Sequence, residues 1–326
     1  MNRNKTLALT VAVIVVASVA LVGLWYPTTV PDVRIGYLSQ DLHQLALRVA
    51  YVKGWFSEAG INVELVQFQN GAYEMDGFLA GQIDMGYLGI APALTKAISQ
   101  NIAITVLAAV NLEGSALMVM KDEYDAGRIV NVSDLVGKTI LQPGPSTVQN
   151  FLIRLALNNS GLSVSDVNLE TARVQDMGIS LTSDKPAFIA WEPFPSLAEY
   201  EGLAVPLLLS GDIWPRHPCC VVATANTFFD DHPDIVQKVV EIHMRAEQWI
   251  VDHPEEALQI AIDWLGIDPT PVETAFNRII YDFNVNRTGV QMYLEFLIDQ
   301  GLVSMDSASV GTFLDSFINT TFIESA

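Results

Sequence analysis

With 326 residues, of which 50% are hydrophobic and 17% charged, the chain has room for about two domains and is too apolar to be intrinsically disordered. Its 37 acidic and 17 basic residues give a formal charge of −20, a field that repels phosphate backbones and anionic lipid headgroups, so no nucleic-acid partner is expected. Two cysteines, adjacent at Cys219 and Cys220, are too few for a disulfide framework or a four-ligand zinc site, and no metal is expected.

The chain opens with Arg3 and Lys5 ahead of an uncharged apolar run over residues 7–25. That length is enough to cross a bilayer, and the preceding positive charges would stay inside. Residues 1–26 therefore read as a signal peptide or an N-terminal membrane anchor, a hydrophobic helix through which alone the chain would meet the membrane. Ser18-Val19-Ala20 has the small-x-small form of a cleavage site, and no cysteine follows the run to carry a lipid. The body is expected outside the cytoplasm. Residues 27–32 form a linker stiffened by Pro27 and Pro31.

A first strand is predicted at residues 33–37, followed by a polar turn at 39–41. A helix is expected over 42–59, where Leu45, Val49, Val52, Trp55 and Phe56 recur at helical spacing ahead of Gly60. Residues 62–66 alternate as a second strand, completing a β-turn-helix-β unit that suits a parallel sheet. The alternation continues with a helix at 72–80, a strand at 83–88 and a helix from Gly89 through 98. Strands at 102–109, 115–120, 138–141 and 186–191 follow, with a helix at 148–158. From about residue 228 the pattern turns helical. The fold class is α/β with two sheets and a helical C-terminal region.

Sites in such folds lie in turns after strands, where helix N-termini present free N–H groups. Four turns qualify: Ser39-Gln40-Asp41 with His43, Tyr87 to Ala91, Gly144 to Thr147, and Trp191 to Phe194. Gln40 and His43 are candidates from the first, His43 serving either as a ligand contact or as a capping group. Tyr87 and Trp191 offer rings for ligand or core, and Gly89 a tight turn. Ser146 and Thr147 can cap a helix or grip a polar head. Glu192, a carboxylate in an apolar stretch, needs either a ligand donor or a neighbouring arginine. His217, His232 and His253 each precede a proline, and His243 reads as the surface of a helix. The cysteine pair reads as two small buried hydrophobes in a strand, with a vicinal disulfide or pocket-lining thiols as alternatives. No metal-binding His-Glu-x-x-His, nucleophile elbow or phosphate-cradling loop occurs, so no catalytic residue and no cofactor is expected.

The order and spacing of these segments resemble a known family. The run from Ala50 through Val63 (AYVKGWFSEAGINV), then Gly81 to Tyr87 (GQIDMGY), Leu135 to Ile140, Trp191-Glu192-Pro193 and His217 to Val221 carry the likeness. Together they resemble ABC-transporter solute-binding proteins of the nitrate/sulfonate/taurine and thiamine-precursor-like superfamily. The resemblance implies a two-lobed type II periplasmic-binding-protein fold, with residues 33–117 and 219–326 in one lobe and 118–218 in the other. It implies an extracytoplasmic receptor that closes on a small organic or oxyanion solute and delivers it to an ABC permease. By the same resemblance Gln40, Tyr87, Gly89, Ser146, Thr147, Trp191 and Glu192 are ligand-binding positions. Two alternatives share the fold: a thiamine-precursor-forming enzyme acting on a bound pyridoxal cofactor, and a ligand-sensing ectodomain.

Overall fold

The computed structural model describes residues 30–324. The expected N-terminal helix and the tether at 7–25 lie outside the described residues. Among the described residues no helix is long and apolar enough to cross a membrane.

Among the described residues eleven strands, numbered in chain order, build two sheets. The first contains β1 (Val33–Leu38), β2 (Val63–Phe68), β3 (Met85–Gly89), β4 (Ile104–Glu113), β10 (Pro218–Ala225) and β11 (Ile279–Tyr281). Their order is β11-β4-β10-β3-β1-β2. The β-turn-helix-β reading holds here: β1 lies between β2 and β3 and is parallel to both. The second sheet contains β5 (Ser115–Met120), β6 (Thr139–Gln142), β7 (Asn168–Thr171), β8 (Ala187–Trp191) and β9 (Ala204–Leu209), in the order β7-β6-β8-β5-β9. Strands β3 and β8 are buried at every position, as expected of strands covered on both faces. Fully buried Ile35, Met85 and Leu88 each contribute about 1.5–3 kcal/mol of transfer free energy to the first core.

The main helices, numbered likewise, are α1 (Leu45–Val52), α2 (Gly71–Leu79), α3 (Ile90–Ser99), α4 (Val148–Asn159), α5 (Phe194–Tyr200), α6 (Pro233–Asp252), α7 (Pro254–Leu265), α8 (Pro269–Phe276) and α9 (Arg287–Asp299). The helix expected over 42–59 is broken. A 3-10 turn at Leu42–Gln44 precedes α1, and Gly54 at φ +73° divides α1 from a short turn at Trp55–Glu58. A left-handed residue cannot sit inside a right-handed helix, and glycine takes that conformation without steric cost.

His243 corrects the surface reading of the C-terminal helices. It lies on the buried face of α6, where Nε2 donates to the Ala109 carbonyl at 2.7 Å and the ring meets Tyr87 edge-on at 5.3 Å. The helical spacing that marks α6 as amphipathic places position 243 on the same stripe as Val236, Val239, Val240 and Ala246.

The chain passes between the sheets twice. It leaves β4 through Glu113 (φ +62°) and Gly114 (φ +81°) to enter β5, and returns from β9 to β10 through residues 210–217. The two crossings are bonded to one another. The Ser115 amide donates to Ser210 Oγ at 3.1 Å, and the Arg216 amide donates to Glu113 Oε1 at 2.7 Å.

Candidate functional site

A cavity of about 340 Å³, counting its open mouth, lies between the sheets beside the crossings. Its walls come from strand ends and helix starts: Leu38, Asp41 and His43 after β1, Asn70 and Gly71 at α2, Gly89 and Pro92 at α3, and Thr147, Val148 and Gln149 at α4. Trp191 at the end of β8 and Cys219 and Cys220 of β10 complete it.

Three helices thus begin at the cavity. Asn70 caps α2, its Oδ1 accepting from the amides of Ala72 and Tyr73 at 3.0 and 3.1 Å. Gly89 caps α3 without a side-chain bond. Thr147 caps α4, its Oγ1 accepting from the Asn150 amide at 3.3 Å and donating to the Gly144 carbonyl at 2.8 Å. A helix start offers the backbone N–H groups that neither the helix nor its cap uses, and the positive end of the helix dipole. Among the described residues no lysine or arginine lines the cavity. Gln149 ties the wall to the first crossing, its Nε2 donating to Ser115 Oγ at 2.9 Å.

The deep wall carries the titratable groups. His43 Nε2 lies 2.8 Å from the Gly114 carbonyl, and since a carbonyl only accepts, Nε2 carries a proton. The other ring nitrogen, Nδ1, then faces Cys219 Sγ at 3.6 Å, Cys220 Sγ at 3.7 Å and Asp41 Oδ1 at 3.5 Å. The two thiols are free, with sulfurs 3.9 Å apart, so the disulfide alternative is not what the structure holds. Burial pushes the Asp41 carboxyl up to about 6 despite the opposing charge of His43. Burial disfavours a charged His43, but the Cys219 sulfur and Asp41 outweigh it and raise the imidazole to about 10. The hydrogen bond from Cys220, assisted by His43, holds Cys219 well below the ordinary thiol range, and the same bond holds Cys220 well above it.

Of the positions singled out in the sequence, the fold brings His43, Gly89, Thr147 and Trp191 to the cavity. Gln40 does not line it: it is exposed, at φ +53° in the turn before Asp41. Ser146 is half-buried one residue outside the wall. Tyr87 is core, 1% exposed, its carbonyl accepting from Gln44 Nε2 at 2.7 Å. Glu192 takes the arginine alternative. It is fully buried, 3.1 Å from Arg278, and accepts from the Ser196 amide. Burial still pushes it above the usual carboxylate range, with Arg278 opposing that rise.

Asn70 and Gln149 were missed, and Asp41, though part of the first candidate turn, was not singled out; the thiols take the pocket-lining alternative. Asp41 and Asn70 stand directly before helical turns, a capping signal that could have marked them. Ligand-type atoms do gather at one place that the sequence reading did not foresee. His43, Cys219 and Cys220, 176 residues apart in sequence, bring three ligand-type atoms within 4.8 Å of one another. Counting cysteines alone could not anticipate a histidine from the turn after β1.

Comparison with known proteins places these features in context. The family model described as the NMT1-like family matches residues 27–266. A Brucella abortus chain named as a binding protein is 26% identical over 284 residues, covering 84% of this chain and 82% of its own. A Bacillus subtilis protein named for binding aliphatic sulfonates is 27% identical over 262 residues, covering 77% and 76%. The periplasmic nitrate-binding protein of Synechocystis PCC 6803 superposes with a TM-score of 0.79 at 15% identity, covering 91% of this chain and 89% of that one. That likeness carries the fold: the described chain has a periplasmic-binding-protein architecture of two α/β sheets.

Proposed function

The chain belongs to the NMT1-like family, and we propose that it is the extracytoplasmic solute-binding receptor of an ABC importer, taking a small oxyanion-bearing solute between its two sheets. The observation that carries the reading is the convergence of the α2, α3 and α4 N-termini on one cavity. Helix starts bind anions through backbone N–H groups without a basic side chain. A sulfonate, nitrate or bicarbonate head fits that arrangement, in keeping with relatives named for such solutes. Glu192 does not oppose an anion there, because its charge is matched by Arg278 away from the wall.

The receptor reading divides the chain into residues 33–117 with 219–326, and residues 118–218. The crossings at Gly114 and at 210–217 support that division and serve as hinges for closure. A permease would read the closed shape, and residues 7–25 would tether the body to the membrane. The cofactor-dependent enzyme needs a lysine at the pocket, and none of the lining residues is one.

Native mass spectrometry of the full chain, purified without refolding, tests the reading. The expected result is a non-covalent small anion that leaves on collisional activation. A covalent adduct on the chain would count against the receptor and for an enzyme.

A further inference from the structure

We propose that His43, Cys219 and Cys220 form a metal-binding site in the deep wall of the cavity, holding a borderline-soft cation of the zinc kind with one coordination position open to the solute. The site goes beyond the receptor reading, and rests on it only for the solute's access to that open position.

The geometry points to a metal before any question of role. A tetrahedral zinc with Zn–S of about 2.3 Å and Zn–N of about 2.05 Å sets its ligand atoms about 3.6 Å (N to S) and about 3.8 Å (S to S) apart. The observed separations are 3.6 and 3.7 Å from Nδ1 to the two sulfurs and 3.9 Å between the sulfurs. The three atoms already stand at the corners of such a site.

Adjacent residues of a regular strand point to opposite faces, so a vicinal cysteine pair ordinarily cannot share one ligand. Here the register of β10 against β4 slips between Pro218 and Cys220 and again between Cys220 and Val221. A bulge re-aims side chains, and this one sits where both sulfurs turn toward the same imidazole nitrogen.

The outer contacts agree. Ligating histidines characteristically donate their second ring N–H to a carbonyl or carboxylate, which fixes the tautomer and leaves the other nitrogen to bind. His43 does this through Nε2 to Gly114. The Cys220 amide is held in turn by Asn111 Oδ1 at 3.2 Å. Two thiolates, one imidazole and an open position suit zinc or a similarly soft ion rather than magnesium or calcium, which take oxygen. On binding, the metal displaces the protons shared among Nδ1 and the two thiols to solvent, so no electrons are transferred. Asp41, which also lines the cavity, has its Oδ1 3.5 Å from the same Nδ1.

Cobalt(II) reads the site directly. The full chain, kept reduced with a phosphine and stripped with a chelator, is titrated with cobalt(II) and then with zinc. The expected result is one cobalt per chain, with thiolate-to-cobalt charge-transfer absorption and the intense visible bands of a tetrahedral centre, both erased by zinc. Because the chain has only two cysteines, any such charge-transfer band in the unmutated protein must come from Cys219 or Cys220. Absence of that band overturns the proposal without any variant. His43→Asn is expected to weaken cobalt at least tenfold and shift the visible bands; an unchanged spectrum and affinity in a folded variant would also overturn it. A parallel titration of the stripped and zinc-loaded chain with an alkanesulfonate separates the two readings. Solute binding without the cobalt bands sinks the metal site alone, whereas cobalt bands with no solute binding in either form sink the oxyanion receptor.

Discussion

The Gly114 carbonyl accepts from His43 Nε2 at 2.8 Å, so a residue of the first crossing sets the orientation of the imidazole that faces the cavity. The same carbonyl accepts from the Glu192 amide at 2.9 Å, joining the crossing to the end of β8. Wall, hinge and second sheet therefore share one backbone group.

That arrangement makes Gly114 sensitive to any side chain. Its φ of +81° disfavours L-residues, and a Cβ there would collide with His43 Nε2. Gly114→Ala is expected to destabilise the fold by about 2–3 kcal/mol in chemical denaturation and to lower solute affinity as well. A variant as stable as the parent would show that the crossing yields freely and that this contact does not hold His43.

Trp191 lines the cavity at 5% exposure, and its indole Nε1 has no hydrogen-bond partner among the described residues. An indole N–H so placed can donate to a bound anion. Trp191→Phe keeps a ring and removes the donor, so solute affinity should fall about tenfold, near 1.4 kcal/mol, with little change in melting temperature. Unchanged affinity with a lower melting temperature would assign the ring to packing.

Glu192 is expected to act on stability only. Glu192→Gln leaves Arg278 with Glu199, which it contacts at 2.6 Å, so the loss should be about 1–3 kcal/mol, below that of a fully isolated buried pair. Solute affinity should be unaffected in calorimetry. A large fall in affinity would return the carboxylate to the binding site.

His243 and Glu247 each contribute to the pH dependence of the fold, and they act in opposite directions. Burial pushes His243 from 6.5 down to about 4, so the unfolded chain takes up a proton that the folded one refuses. Its contribution is complete above pH 6.5 and is lost as pH falls toward 4, amounting to about 3 kcal/mol for this group alone. Glu247, whose oxygen lies 4.0 Å from His243 Nε2, is pushed well above its ordinary range by burial. Its contribution is complete below pH 4.5 and is lost as pH rises. Denaturation of His243→Gln at pH 6.5 and 4.5 should show a smaller acid loss than the parent; an equal loss would place the acid sensitivity elsewhere.

The parallel β1–β2 pair, the sheet-crossing α/β order and the long C-terminal helices were legible because hydrophobic period and glycine caps encode them locally. Thr147 and Gly89 were legible for the same reason, as a cap and a turn that stand at helix starts. What escaped was non-local. Glu192 finds its arginine 86 residues away, and His243 is buried because β4 runs beneath α6. The cysteine pair was expected as two small buried residues of a strand, and they are that, but a bulge that no local signal announces turned both sulfurs to one side. Tyr87 followed a strand, as a site residue would, but the pleat pointed it into the core.

The most direct test of the receptor account is calorimetric titration of the full chain with a short alkanesulfonate and with the uncharged alcohol of the same carbon chain. Saturable binding of the sulfonate, one per chain, with none of the alcohol is the expected result, since helix starts reward the anionic head. A folded chain that binds neither the sulfonate nor nitrate nor bicarbonate, or that binds the alcohol equally well, would contradict it.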